Sequence, residues 1–172
     1  MRTKVHIRVA SHLATNRVDG FTLLEVLTVV VISGILAAIS MPYFFSRAAA
    51  AKQAEGKMLV GVINRAQQAY YTQNAKFSDN IDALSLRLDS QNYDFGVEPA
   101  TGANLYAANY ATSKVVNIRS YVGMSAIVQD AQGNLGMQTI ICESEAPGTV
   151  AATKPEHTGA MINCAPGTQR LK

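Results

Sequence analysis

In a chain of 172 residues, the position that first asks for a chemical explanation is Glu25. It is the only charged side chain in FTLLEVLTVVVISGILAAISMPYFF, the run from Phe21 to Phe45. A carboxylate moved towards the middle of a bilayer costs about 2.5–3.5 kcal/mol, less near the interface, so it needs a partner. It can reach back to the interface or favour the positive N-terminal end of its own helix, or a cation from another chain can meet it. The other reactive side chains do not converge. His6 and His12 fall in the first twenty residues and His157 stands near the C-terminus. Asp79 with Asp82, and Glu143 with Glu145, read as solvated surface rather than as an acid–base dyad or a calcium cage, which needs several converging oxygens. The sequence has no phosphate-binding glycine loop, paired metal-ligand motif or nucleophile elbow. The expectation is a protein that is not an enzyme and takes no cofactor or metal.

Charge has to be located before it is interpreted. The formal net charge is +3 and the pI about 8.9, which by themselves suggest nucleic acid or anionic lipid. Of fifteen basic and twelve acidic side chains, Arg2, Lys4, Arg8, Arg17 and Asp19 lie in residues 1–20, leaving eleven of each from Phe21 onward. The basic balance belongs to the N-terminal arm, and no direct nucleic-acid binding is inferred.

A basic arm followed by an apolar run has the form of an n-region and an h-region. Between Val26 and Met41 sixteen residues carry no charge. They extend about 24 Å as a helix, and residues 21–45 about 37 Å, against a hydrocarbon core of roughly 30 Å. The segment can span a membrane. An ordinary signal peptide would be cut beyond it, around Ala37-Ala38-Ile39-Ser40 or the run from Ala48 to Ala51, releasing a soluble product. A permanent signal anchor and a buried core helix are the other readings.

The elements around this run follow from pattern. Ser33 with Ala37, and Gly34 with Ala38, are small-xxx-small pairs that let helices approach closely in lipid. Pro42 removes a backbone donor and is expected to bend or loosen the helix. Beyond it Leu59, Val62, Ile63, Ala66, Ala69 and Tyr70 fall on one helical face, with Lys57, Asn64, Gln67, Gln68 and Tyr71 mostly around the other. One helix from about Phe21 to Asn74 is therefore expected, with fraying near Gly56 and Gly61. Residues 75–103, with Gly96, Pro99 and Gly102, read as a connecting loop holding one short helix. Strand signals fill Leu105 to Thr112, Val115 to Gln129 with a break or bulge at Gly123, and Leu135 to Glu143, with Asp130-Ala131-Gln132-Gly133-Asn134 as a turn. The fold class is α+β: a long helix whose amphipathic half packs on a three- or four-stranded antiparallel sheet.

Gly20, Phe21, Thr22 and Glu25, read as G-F-T-L-L-E at the foot of a pure apolar run, resemble the processing site of type IV prepilins and of the related secretion pseudopilins. The resemblance is strongest over residues 20–45, includes Pro42, and continues more loosely through Tyr71. In that family a membrane aspartic peptidase cuts after the glycine and methylates the new N-terminal phenylalanine, and the apolar anchor survives cleavage. Residues 64–70 (NRAQQAY) and Ser120-Tyr121-Val122-Gly123 look similar to major-pilin-like proteins of cyanobacteria. The leader, at 20 residues, is longer than in many pilins that begin with phenylalanine.

The resemblance implies a type IV pilin fold with a cleaved leader over 1–20, a transmembrane and filament-core half-helix over 21–45, and a globular domain over 46–172. It assigns processing to Gly20 and Phe21, and assembly to Phe21, Glu25 and Pro42, with Glu25 pairing the Phe21 α-amino group of a neighbouring subunit. Exported past a membrane, Cys142 and Cys164 are expected to be oxidised, and the 142–164 loop resembles the C-terminal disulfide-bounded region of pilins. A pair of free thiols is the alternative.

The expected partners are other pilin subunits in a homopolymer, a prepilin peptidase/N-methyltransferase, a pilus assembly platform in the inner membrane, and membrane lipid before assembly. The expected function is a structural subunit of an extracellular filament for adhesion, twitching motility or DNA uptake. Two other functions compete: a pseudopilin of a type II secretion system, and an exported soluble binding module behind an ordinary signal peptide.

Overall fold

In a computed structural model the described residues are 20–99 and 105–171. The expected leader before Gly20 and the connection around Gly102 lie outside them. Helix α1 (Leu23–Asn74) is unbroken and carries Pro42 inside it. The chain divides at this proline into two compact units, Met1–Met41 and Pro42–Lys172.

In the first unit every described residue, Gly20 to Met41, is exposed. Its hydroxyls satisfy themselves locally: Thr28 Oγ1 donates to the Glu25 carbonyl at 2.8 Å and Ser40 Oγ to that of Ala37 at 3.3 Å. Such back-bonding lets a hydroxyl sit in an apolar helix without a further partner.

The second unit holds the sheet. Strands β1 (Tyr93–Pro99), β2 (Tyr106–Ser113), β3 (Tyr121–Gln129), β4 (Leu135–Ser144) and β7 (Thr168–Arg170) form one antiparallel sheet in the order β1-β2-β3-β4-β7. Strands β5 (Glu156–His157) and β6 (Ile162–Asn163) make a small separate hairpin. Five strands replace the three or four expected. The added β1 falls in residues read as loop, where Gly96 and Pro99 masked a short alternation of Tyr93, Phe95 and Val97. An edge strand tolerates both residues, because one side of its ladder is empty. The stretch from Val115 splits instead of running as one strand, with β3 beginning at Tyr121. No bulge interrupts β3 at Gly123, which pairs in register with Ile141 and Asn109.

Strand β3 is buried on both faces, nearly without alternation. On one face Tyr121 packs with Ala111, Ile118, Tyr93 and Val60 of α1. On the other, Val122, Met124, Ala126 and Val128 lie under Ala152 and Ile162 of the C-terminal segment. The last element supplies what a one-helix, one-sheet layer lacks, a cover for the sheet's outer face.

The helix approaches the sheet where side chains are absent. A Cβ on Gly123 would collide with Val60 Cγ1, at 2.6 Å, and with the Asn64 side chain. Gly56 is buried against the Tyr93 ring, so this glycine is a packing contact and not a point of fraying. The helix ends as Ala75 turns to φ 53°, with its N–H donating to the Tyr71 carbonyl at 2.8 Å.

The buried helix face also departs from the expected stripe. Val60 and Ile63 are fully buried, but so are Asn64 and Gln67, placed by periodicity on the polar side. Leu59, Val62, Ala66 and Tyr70 are half-buried and Ala69 is exposed. Hydrogen bonds explain the shift. Asn64 Nδ2 donates to the Ile140 carbonyl at 3.1 Å, and its Oδ1 accepts from Asn109 Nδ2 at 2.8 Å. Gln67 Nε2 donates to the Ser78 carbonyl at 3.0 Å, while its Oε1 accepts from the Ser78 N–H at 2.9 Å. A buried amide with partners costs little, and one without them costs about 1–3 kcal/mol.

Candidate assembly site

Thr22 starts the stem. Its Oγ1 accepts from the Glu25 N–H at 3.2 Å, and its carbonyl accepts from the Val26 N–H at 3.2 Å, so it is the helix N-cap. Thr22-Leu23-Leu24-Glu25 has the spacing of a capping box, a signal that was legible in the sequence and was not read there. Only the threonine half of the box is made. Among the described residues the Glu25 carboxylate has no hydrogen-bond or ion-pair partner, and it stands exposed in the first turn. Gly20 and Phe21 lie just outside the helix, Phe21 79% exposed. Gly20, Phe21 and Glu25 thus share one accessible segment.

Above this foot, twelve large apolar side chains between Leu23 and Met41 are each at least half exposed. A fully buried side chain of this kind gains about 1.5–3 kcal/mol, so leaving the set in water forfeits on the order of 20 kcal/mol. So large a contiguous apolar surface marks a membrane or protein contact. Helix α1 is long and apolar enough to cross a membrane. An added Cβ at Gly34 would meet nothing within 4 Å, leaving that face open to a neighbour. Pro42 cannot supply the N–H that the Ala38 carbonyl would otherwise accept.

In the second unit the titratable groups serve the fold. Cys142 in β4 is bonded to Cys164, with Cα atoms 5.8 Å apart, which resolves the alternative of free thiols. The bond fixes the C-terminal segment over the outer face of β3. Glu98 of β1 accepts from Lys154 Nζ and, at 2.9 Å, from the Tyr110 hydroxyl, tying that segment to the sheet edge. The Lys154 hydrogen bond, with that of Tyr110, holds the Glu98 carboxyl below its ordinary value. Burial pushes the Tyr121 hydroxyl up to about 12, with the Glu143 charge adding to it. Burial likewise raises Tyr93 and Tyr110. Among the described residues there is no group of three or more His, Cys, Asp or Glu able to hold a metal ion.

An apolar, capped, single-helix stem joined to a small α+β head with a C-terminal disulfide defines a membrane-anchored or self-assembling class of protein. Residues 53–165 match the family described as Type IV pilin-like G and H, and residues 15–41 match the Prokaryotic N-terminal methylation motif. The first match covers well over half of the chain, which therefore belongs to the type IV pilin-like family. It is 36% identical over 84 residues to the Type IV major pilin protein PilA of Myxococcus xanthus (strain DK1622). That stretch is 48% of this chain and 38% of the relative, so the chain spans well under half of the length of the curated relative it matches. No solved structure matches the chain.

Proposed function

We propose that this chain is a structural subunit of a type IV pilus. The precursor is held in the inner membrane by residues 21–45. A prepilin peptidase/N-methyltransferase cuts after Gly20 and methylates Phe21, and an assembly platform stacks the mature subunits into an extracellular filament. In the filament, Glu25 pairs with the Phe21 α-amino group of the adjacent subunit. An unpaired carboxylate in an apolar bundle is penalised, so this pair sets the axial register. Pro42 loosens the helix where the head begins.

The observation that carries the reading is the bare apolar stem whose one acid, at its capped foot, has no partner among the described residues. Lipid covers such a surface before assembly, and copies of the same stem cover it afterwards. The family is a structural one, which supports this reading. Adhesion, twitching movement or DNA uptake would then belong to the machine that extends and retracts the fibre.

Sequencing the N-terminus of protein sheared from cells tests the proposal. The expected result is a chain starting at methylated Phe21 in long fibres. A start beyond residue 41, in a dissolved monomer, would overturn it.

A further inference from the structure

The head is nearly neutral, yet its charge is separated by side. Along one flank of α1 and β4 runs an open groove of about 410 Å³ with Ile141 and Leu171 in its lining. Lys57, Arg65 and Arg170 also line it, and no acid does. Lys57, Gly61 and Arg65 repeat at i, i+4 and i+8, so they form one line along the helix. An added Cβ at Gly61 would meet only Ile141 and Arg65, at 3.6 and 3.7 Å, so the groove floor is open there. The ion pairs among the described residues are Lys114–Asp94, Arg119–Glu143 and Lys154–Glu98; none uses these three cations.

At the opposite edge of the same sheet, beside β1, a second open groove of about 490 Å³ is lined by Asp79, Asp82, Asp89 and Asp94. Lys114, already paired with Asp94, is the one cation lining it. The sheet order β1-β2-β3-β4-β7 puts the two grooves at its two ends, with α1 lining the basic one.

We infer that the basic groove between α1 and β4 docks the acidic β1-side groove of a second copy of this chain. Resting on the pilus-subunit reading, this names the head-to-head contact that the stem leaves undetermined. Two different surfaces that complement each other give a heterologous contact, which repeats without closing when the rotation between copies does not complete a ring. The Glu25 pair sets the axial register of the stem but leaves its rotation free, whereas matched charges at the two sheet edges fix which side of one head meets which side of the next. Charge matching of this kind sets specificity and register more than raw affinity, and it weakens with salt.

The test is a reciprocal charge swap in cells that make sheared fibres from the wild-type chain. One variant carries Lys57→Glu and Arg65→Glu, and the other Asp79→Lys and Asp82→Lys. All four side chains are exposed, so both variants should fold; a mature-length band with the Cys142–Cys164 bond intact on a non-reducing gel confirms it. Each variant alone juxtaposes like charges and is expected to give roughly tenfold less fibre. Expressed together they restore opposite charges wherever the two variants alternate, the order that repulsion between like copies selects, and fibre yield returns to within about twofold of wild type at low salt. Normal yield from either variant alone, or no rescue on co-expression, overturns the inference while leaving the stem-driven filament standing. Wild-type cells with no sheared fibre would instead end the pilus reading, and this inference with it.

Discussion

Between Leu23 and Met41 the chain leaves twelve large apolar side chains bare and one carboxylate without a partner among the described residues, whereas between Pro42 and Leu171 it buries Asn64, Gln67 and Asn109 and gives each a hydrogen-bond partner. In the head, these amides are desolvated because backbone and side-chain partners from the same chain reach them; among the described residues His157 Nδ1 is the buried side-chain polar atom left without one. Among the described residues the stem has no such partner, so under the proposed reading its apolar surface and its acid are met by lipid or by another subunit.

The sharpest way to break this contrast is to remove the stem's one acid. Glu25→Ala should leave processing after Gly20 intact. Under the proposed pairing it strands a neighbour's amine in an apolar bundle, at about 3–5 kcal/mol, or at least two orders of magnitude per contact. Sheared-fibre yield measures this, with mature subunit accumulating in the membrane; fibres at normal yield would remove the charge-pair argument.

Next in size is an attack on the completeness of the head. Gly123→Val puts methyl groups where Val60 and Asn64 already sit. It forces the helix off β3 and pulls the Asn64 amide from Asn109 and Ile140, costing about 3 kcal/mol or more. Thermal unfolding should show a midpoint roughly 10 °C lower. Because the stem is untouched, membrane insertion and cleavage should persist.

Cys164→Ser should cost a similar or slightly smaller amount, about 3 kcal/mol for a loop of this length. The effect should appear as loosened cover over Val122 and Met124, read as faster amide exchange in β3 than in the helix. Equal exchange in both would show that the C-terminal segment stays down without its bond.

The smallest expected effect is electrostatic. The Glu98 carboxyl is held below its ordinary value of 4.5. Its contribution is therefore complete above that value and is lost as pH falls through the lower folded one. Both partners are more than a third exposed, so screening keeps the pair within about 1 kcal/mol. Glu98→Gln should lower the melting midpoint by a few degrees at neutral pH and by nothing near pH 2. An unchanged midpoint at neutral pH would mean that the C-terminal segment is held by packing and the disulfide alone.

The stem was legible because its signals are local. The cap and the lone acid stand three residues apart within the hexad from Gly20 to Glu25, the apolar run follows directly, and Pro42 comes at its end. Even the capping box was there to be read. The paired cysteines and the Asp130–Asn134 turn were also local; Asp130 accepts from the N–H groups of Gln132 and Asn134, at 2.9 and 2.8 Å, as turn chemistry requires. The head was less legible where contacts are long-range. Strand β1 has modest strand character and exists because β2 offers it a register. Asn64 and Gln67 look like solvent-facing residues until Asn109, 45 and 42 positions away, and Ser78 meet them.

The sequence by itself determined an apolar helix with a single acid near its foot and a sheet-bearing head after it, with two cysteines in its last third. The bond between them stayed open until the structure joined Cys142 to Cys164. Only the tertiary structure decided which helix face is buried and that the C-terminal segment covers β3. The same holds for the opposite charges brought to the two edges of the sheet. The physical reason is range: caps and hydrophobic runs are set by neighbours along the chain, whereas the burial of an amide or the company of a charge is set by residues that only folding brings near.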